Sequence, residues 1–313
     1  MKILLTGAAG FIGSNFVRMV ATGELEGISG VMALDKLTYA GVKENLKPAE
    51  IFPGYQFTQG DICNPVQVHQ LISEVDAVVN FAAESHVDRS ISGAADFVQT
   101  NIVGVQVLLD AIKASRRQIR FLQVSTDEVY GTIEKGSWNE EWPLSPNSPY
   151  SASKASGELL ARSYNKTHDM DVVITRCSNN YGTHHFPEKL IPLFITNLIE
   201  GKKVPLYGTG ENVRDWLHVE DAARLLLTAA SHASGSCPIV NGGSGQGTSV
   251  REILSMVFQE FALQHTPRFS GEARIGDPPG YQADTQMAAS WGWEPEIPLT
   301  VGIKGYVDWF KKR

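Results

Sequence analysis

The feature that most constrains this chain is its first turn. Lys2–Thr6 is a short apolar run, and Gly7-Ala8-Ala9-Gly10-Phe11-Ile12-Gly13 follows at once. Apolar residues then recur at helical spacing to about Ala21. Strand, glycine loop and helix in that order form a dinucleotide cradle. Gly7 permits the tight turn, Gly10 lets backbone approach a pyrophosphate, and Gly13 lets helix pack on strand. Backbone N–H groups at the helix start then hold the anion.

The rest of the first half keeps this rhythm. Val31–Leu34, Phe57–Gln59, Ala77–Phe81, Phe121–Val124 and Val172–Thr175 read as strands. Helical patterns fill the gaps, notably Phe97–Ser115 and Ser151–His168. Such alternation implies right-handed crossovers and a mainly parallel α/β sheet covered on both faces. After about Asn180 the regularity weakens, and short segments follow: Val204–Tyr207, Trp216–Val219 and Ile239–Asn241. They predict a smaller lobe over the sheet, with helices at Val219–Ser231 and Ser249–Phe261; the first of these is placed to pack back on the larger lobe. Residues 1–178 would form the cofactor half, with a contribution from about 215–235, and residues 179–313 the second lobe.

Composition narrows the function classes. The 313 residues carry a formal charge of −7, which disfavours nucleic acid and anionic membranes as partners. Cys63, Cys177 and Cys237 are widely spaced, without a zinc-type pair, which suits a reduced cytoplasmic protein. The apolar start is too short for a signal peptide or membrane span. His184 and His185 have no metal-type spacing to other ligands and read as loop residues.

Two acids follow strand ends. Asp35 closes the second strand, at about the 20-residue distance from the loop where a carboxylate accepts the ribose hydroxyls of NAD and repels a 2′-phosphate. Lys36 beside it would favour the phosphorylated cofactor, but Asp35 weighs more, and NAD is expected. Asp61-Ile62 would flank the adenine; Asp61 would equally serve as a helix N-cap.

Tyr150 and Lys154 share a helix face at i, i+4. The ammonium is expected to lower the tyrosine pKa, making the phenol a base near neutral pH. Ser125-Thr126 lies at the end of a strand, where active sites form in such sheets. Hydroxyl, tyrosine and lysine on the edge that carries the glycine loop point to hydride transfer at a carbinol carbon.

With these residues in view, the chain resembles the extended short-chain dehydrogenase/reductase family, and within it the dTDP-glucose 4,6-dehydratase branch. The matching stretches are Thr6–Gly13, Asp35–Gly41, Ala82–Ser90, Ser125–Gly131, Pro149–Lys154, Arg176–Gly182, Phe186–Pro192 and Arg214–Trp216. The resemblance implies a Rossmann-type doubly wound sheet with a C-terminal substrate lobe. It implies NAD held by Gly7, Gly10, Phe11, Ile12, Gly13, Asp35, Lys36, Leu37, Thr38, Gly41, Asp61 and Ile62. Phe81, Ala82, Ala83, Ser85, Thr100, Ser125, Tyr150, Lys154, Cys177 and Asn180 complete the cofactor set.

Elimination of water across C5–C6 of a hexose needs a base for the C5 proton and an acid for the C6 hydroxyl. By resemblance Glu128 is that base and Asp127 that acid. Tyr150 takes the O4 proton while NAD accepts the C4 hydride and later returns it to C6. Thr126 hydrogen-bonds O4. The substrate is then a nucleoside-diphosphate glucose, with dTDP-glucose the family's choice. Ser85, His86, Thr126, Asp127, Glu128 and Asn179 lie on the sugar side. Asn180, Lys189 and Leu190 lie near cofactor or nucleotide, Pro205-Leu206-Tyr207 at the base, and Arg214 at the diphosphate. For Arg214 the alternative is an ion pair with Asp215. A homodimer through the two long helices, as a four-helix interface, is also implied.

One stretch departs from the pattern. Where the branch has D-R-x-G-H-D-x-R-Y, this chain reads Arg274-Ile275-Gly276-Asp277-Pro278-Pro279-Gly280-Tyr281-Gln282-Ala283-Asp284. From Asp284 to Pro295 it is more similar to sugar-nucleotide epimerases. Arg274 and Tyr281 stay as nucleotide contacts, and the nucleotide is less constrained than the chemistry. Two other functions remain open: a UDP-sugar 4-epimerase, which needs no C5–C6 acid and base, and a non-catalytic NAD-binding sensor, which needs no Tyr-Lys pair.

Overall fold

The computed structural model describes residues 1–133, 136–202, 208–232, 237–262, 280 and 282–312. Val204–Tyr207, expected as a short segment of the second lobe, lies outside them. So do the predicted substrate contacts Pro205, Tyr207, Arg274 and Tyr281.

The chain opens with β1 (Lys2–Thr6), α1 (Phe11–Ala21), β2 (Gly30–Asp35), β3 (Tyr55–Gln59), α2 (Pro65–Ile72) and β4 (Ala77–Asn80). Two short helices, α3 (Val87–Ser92) and α4 (Ala95–Val98), lead through a π-helical segment, Gln99–Gly104, into α5 (Val105–Ser115). Next come β5 (Arg120–Thr126), a 3-10 turn (Asp127–Tyr130), α6 (Pro149–His168), β6 (Val172–Cys177) and β7 (Asn179–Tyr181). The remainder is α7 (Leu190–Ile199), β8 (Val213–His218), α8 (Val219–His232), β9 (Ile239–Gly242), β10 (Gly247–Ser249), α9 (Val250–Glu260), α10 (Gln286–Ser290) and α11 (Leu299–Lys311).

Seven strands form one parallel sheet in the order β3-β2-β1-β4-β5-β6-β9. The central strands β1, β2 and β4 are buried on both faces and read as near-continuous apolar runs, while the edge strand β3 alternates. Ile3 and Leu5 of β1 enter one core with α1 and α8, while Leu4 between them enters the other with α2, α5 and α6. Strand order reverses between β1 and β4. In a doubly wound sheet the crevice outside the strand ends at this point is the ligand site.

Three expectations change. Ile239–Asn241 belongs not to the smaller lobe but to the large sheet, where β9 pairs with β6, Ile174 opposite Ile239. The strand expected at Trp216–Val219 begins earlier, at Val213. The helix expected over Phe97–Ser115 is broken by the π segment. Val219–Ser231 does pack back on the larger lobe: Ala222, Ala223, Leu225, Leu226 and Ala229 share a core with Phe16 and Val17. The second lobe has a three-stranded sheet, β10-β8-β7, and a core of Tyr181, Ile191, Ile195, Trp216, Ile253, Val257 and Ile303.

Candidate active site

A cavity of about 990 Å3 opens at the switch point, at the top of the range for small-molecule sites. Its first wall is the glycine loop. Gly7 has φ +66°, and a Cβ there would stand 2.6 Å from the backbone nitrogen of Ala82. A Cβ on Gly13 would stand 2.4 Å from the Gly7 carbonyl oxygen. Side chains are excluded at both positions, and backbone from Gly10 to Gly13, opening α1, lines the cavity.

Asp35 is buried beside this loop. Its Oδ2 accepts from the Ala9 amide at 2.8 Å and its Oδ1 from the Leu37 amide at 2.7 Å. Burial raises its pKa against the pull of these bonds. Lys36 Nζ lies 2.8 Å from Asp61 Oδ2, so its charge is engaged by a carboxylate. The cap of α2 is Asn64, which accepts from Val66 and Gln67; Asp61 is therefore no helix cap. Thr38, Gly41, Ile62, Phe81, Ala82, Ala83 and Thr100 join the lining. Leu37 does not: its side chain packs against the core under α1.

The second wall is the end of β5. Thr126 Oγ1 donates to Asp127 Oδ1 at 3.2 Å and accepts from the Glu128 amide at 3.3 Å, capping the turn Asp127–Tyr130. Asp127 is buried. Desolvation first, then the charges of Glu128 and Asp215, hold its carboxyl well above the usual range. Opposite stands the start of α6, where Ser148 and Ser151 form a capping box around Pro149 and aim Tyr150 at the cavity. The Thr126 hydroxyl reaches the Tyr150 phenol.

The expected effect of Lys154 on Tyr150 is not what governs here. Burial, Glu128 and Asp127 push the phenol up, and Lys154 Nζ donates instead to the Val124 carbonyl at 2.6 Å. Burial also brings Lys154 itself down to about 8. Cys177 lies in the lining, its thiol pushed up to about 12 by burial.

Ser85, His86, Asn179, Asn180, Lys189, Leu190 and Arg214 all line the cavity. Lys189 Nζ donates to the Ser85 carbonyl at 2.9 Å. Arg214 and Asp215 are strand neighbours and point to opposite faces. Asp215 accepts from the Ser244 amide and hydroxyl and from the Gly245 amide, on the side away from Arg214. Ser125 Oγ, Asp127 Oδ2 and Asn180 Oδ1 are buried in the lining without a hydrogen-bond partner among the described residues, as suits polar groups that meet a ligand.

Sequence reasoning passed over Tyr39, Glu84, Glu188 and His185. Glu84 is half-buried, and burial raises its pKa. Glu188 bridges to Arg89 at 2.8 Å, and Arg89 lies over the Tyr39 ring at 3.8 Å. His185, read as a loop residue, stacks on Phe11 at 4.1 Å, and burial keeps it neutral, its pKa down at about 3. Tyr39, Glu84 and Glu188 sit inside the matching stretches, so a signal for them existed; the His185 stack had none.

The chain was compared with known proteins. The family model for GDP-mannose 4,6 dehydratase matches residues 4–304. A dTDP-glucose 4,6-dehydratase from Streptomyces niveus is 46% identical, over 99% of this chain and 93% of its own. The crystal structure of the dTDP-glucose 4,6-dehydratase DesIV from Streptomyces venezuelae, with NAD bound, superposes with TM-score 0.95 at 42% identity, covering 100% of this chain and 98% of that one. A UDP-glucose 4-epimerase from Thermotoga maritima is more distant, with 29% identity, TM-score 0.90, and 100% and 99% coverage. The chain therefore belongs to the GDP-mannose 4,6 dehydratase family, and among its members it groups with the dTDP-glucose 4,6-dehydratases.

Proposed function

We propose that this chain is an NAD-dependent 4,6-dehydratase of a nucleoside-diphosphate glucose, with dTDP-glucose as its substrate. The observation that carries this reading is Asp127-Glu128 on a capped turn in the cavity, with the Asp127 carboxyl pushed well above its usual range by burial and by the charges of Glu128 and Asp215. An epimerase has no use for such a pair, and a sensor has none for Tyr150 and Lys154.

The residues fit the cofactor. Gly7 to Gly13 leave backbone N–H groups for a pyrophosphate. Asp35 suits the ribose hydroxyls, and Lys36, engaged by Asp61, offers little to a 2′-phosphate. When bound, NAD supplies the two-electron acceptor for C4, returns the electrons to C6, and brings positive charge to the site. The remaining steps belong to the chain. Thr126 and Tyr150 seat O4, and Tyr150 takes its proton. The C4 ketone acidifies C5–H, and Glu128 removes that proton. Asp127 gives its proton to O6, which leaves as water. As C6 becomes a methyl, Glu128 returns a proton to C5. The proton gained by Tyr150 restores, through solvent, the one Asp127 gave. The cycle is redox-neutral.

Arg214 suits a diphosphate through paired N–H donors, and Asn179, Ser85 and His86 suit the sugar. Residues 1–178 with α8 and β9 form the cofactor half, and the rest of 179–313 the substrate lobe. Among the described residues no helix is long and apolar enough to cross a membrane; the reading places the enzyme in the cytoplasm. It works as a homodimer through the α4–α6 face, where Leu159 and Val98 are exposed at 53% and 46%.

Mass spectrometry after incubation with dTDP-, UDP-, CDP- and GDP-hexoses tests the function. Loss of one water without net NADH is expected, with dTDP-glucose fastest. A product of unchanged mass would indicate epimerisation, and no reaction on any of them would sink the proposal. Asp127→Asn with Glu128→Gln should lower dehydration by about 10²–10⁴-fold, the usual worth of positioned acid and base.

A further inference from the structure

Behind the acid-base turn lies a buried charge pair that the mechanism above does not use. Arg176 of β6 is 1% exposed and Glu158 of α6 is fully buried. Arg176 Nε and Nη2 donate to Glu158 Oε2 at 3.0 and 2.8 Å. Burying two ions is costly, and apolar residues of similar volume often serve stability as well. Stability alone does not account for the pair.

Its surroundings suggest what does. The Arg176 guanidinium lies over the Tyr130 ring, 4.7 Å from the centroid. Tyr130 is the last residue of the turn that carries Asp127 and Glu128. The ring also stacks on Trp138 at 5.4 Å, and its hydroxyl donates to Asn241 Oδ1 at 2.7 Å. Asn241 is held in turn by the same segment: its Nδ2 donates to the Trp138 carbonyl at 3.0 Å and its backbone amide donates to Glu140 Oε1 at 2.9 Å. Arg176 Nη1 also donates to the Glu140 carbonyl at 3.3 Å. The last side chain of a one-turn helix is thus clamped by three separate segments.

We propose that Arg176 and Tyr130 are positioning residues for the elimination step: Glu158 pins the guanidinium, the guanidinium seats the Tyr130 ring, and Tyr130 holds Asp127 and Glu128 against C6 and C5. Neither residue touches the reacting atoms. The inference rests on the dehydratase reading and concerns one step of it. Tyr150 and Lys154 share α6 with Glu158, whose charge acts on Lys154, so the variant that separates elimination from C4 oxidation is one at Tyr130 that leaves Glu158 in place.

Tyr130→Phe is the cleanest variant. It keeps the ring contacts with Arg176 and Trp138, removes the hydroxyl's bonds to Asn241 and Arg176, and leaves Glu158 near Lys154. Arg176→Met with Glu158→Met removes the pair at similar volume. The expected result is a fall in kcat of about tenfold for Tyr130→Phe and about 10²-fold for the double variant, with KM little changed, as for loss of fine positioning. Thermal midpoints should stay near wild type. During turnover, enzyme-bound reduced nicotinamide should build up in its near-ultraviolet absorbance, because C4 oxidation continues while elimination lags. A merely structural role would lower the midpoint and slow both steps together, with no build-up. Wild-type kcat in Tyr130→Phe, or slowing without build-up, would overturn the inference, and Tyr130→Phe decides if the double variant does not fold. A wild-type enzyme inert toward every nucleotide sugar overturns the dehydratase reading as well; an active one with unchanged variants overturns this inference alone.

Discussion

Lys154 carries a cost that the ligand-free protein should reveal. Burial brings its pKa from 10.5 to about 8. Below pH 8 the ammonium is protonated in both folded and unfolded chains, and the cost of burying it is fully present. Between about 8 and 10.5 the unfolded chain holds more protons, so stability rises with pH; above 10.5 the cost is gone. A shift of this size corresponds to about 3 kcal/mol. The lost bond to the Val124 carbonyl offsets roughly 1 kcal/mol of that in a variant. Lys154→Met should therefore unfold at higher denaturant than wild type at pH 7, by about 2 kcal/mol, and lose that advantage by pH 10.5. Equal stability of the two at pH 7 would contradict a buried ammonium. The same residue shows what sequence could tell. Its spacing from Tyr150 was legible, because i, i+4 is a local relation. Its hydrogen bond to Val124 was not, because α6 and β5 meet only in the fold. Asp61 is similar: its place at a strand end was visible, but its choice of Lys36 over a helix terminus depends on a contact between two loops.

At the scale of elements, two loops and a short helix meet beside the cavity. Tyr39 follows β2, Arg89 lies in α3, and Phe186 with Glu188 precede α7. The Arg89–Glu188 pair at 2.8 Å, the Arg89–Tyr39 contact and the Tyr39–Phe186 edge contact at 5.5 Å join the two lobes across the cleft. Arg89 is half-exposed, so the pair is worth at most about 1 kcal/mol and adds little to global stability. Its effect should instead fall on a ligand beneath it. Glu188→Gln should speed dinucleotide release by up to about fivefold, the kinetic equivalent of that energy, with almost no change in thermal midpoint. Displacement of bound NAD followed in a stopped-flow instrument measures this, and an unchanged rate would show that the bridge plays no part in retention. The residues lie in stretches the sequence singled out, but their contacts could not be read there, because the three segments are far apart along the chain. The π segment was equally silent. Gln99–Gly104 keeps the apolar spacing of a helix, and only its hydrogen bonds show the widened turn that puts Thr100 in the cavity and lets Asn101 Nδ2 bond Ser153 at 2.8 Å.

For the whole molecule, the parallel sheet was legible because βα alternation leaves few other topologies. The place of β9 was not. Ile239, Val240 and Asn241 follow a long excursion through the second lobe, and three apolar or polar residues do not name a partner strand. Pairing with β6 is decided by the space left at that sheet edge under α8. The outer surface raises the last question. Leu159 on α6 and Val98 on α4 are exposed on neighbouring helices of one face, and an isologous dimer would bury each twice. Full burial of one leucine is worth about 1.5–3 kcal/mol, and Leu159 has about half of its surface left to cover, so two copies contribute about 1.5–3 kcal/mol to the association. Leu159→Glu removes this and sets two carboxylates into an apolar contact, which should weaken the dimer by at least about 10²-fold. Sedimentation velocity should then find wild type as a dimer and the variant as a folded monomer at the same concentration. The monomer should still bind NAD, because the described cavity is built from residues of a single chain. A monomeric wild type would remove the dimer from the proposal, and a dimeric variant would place the interface on another face.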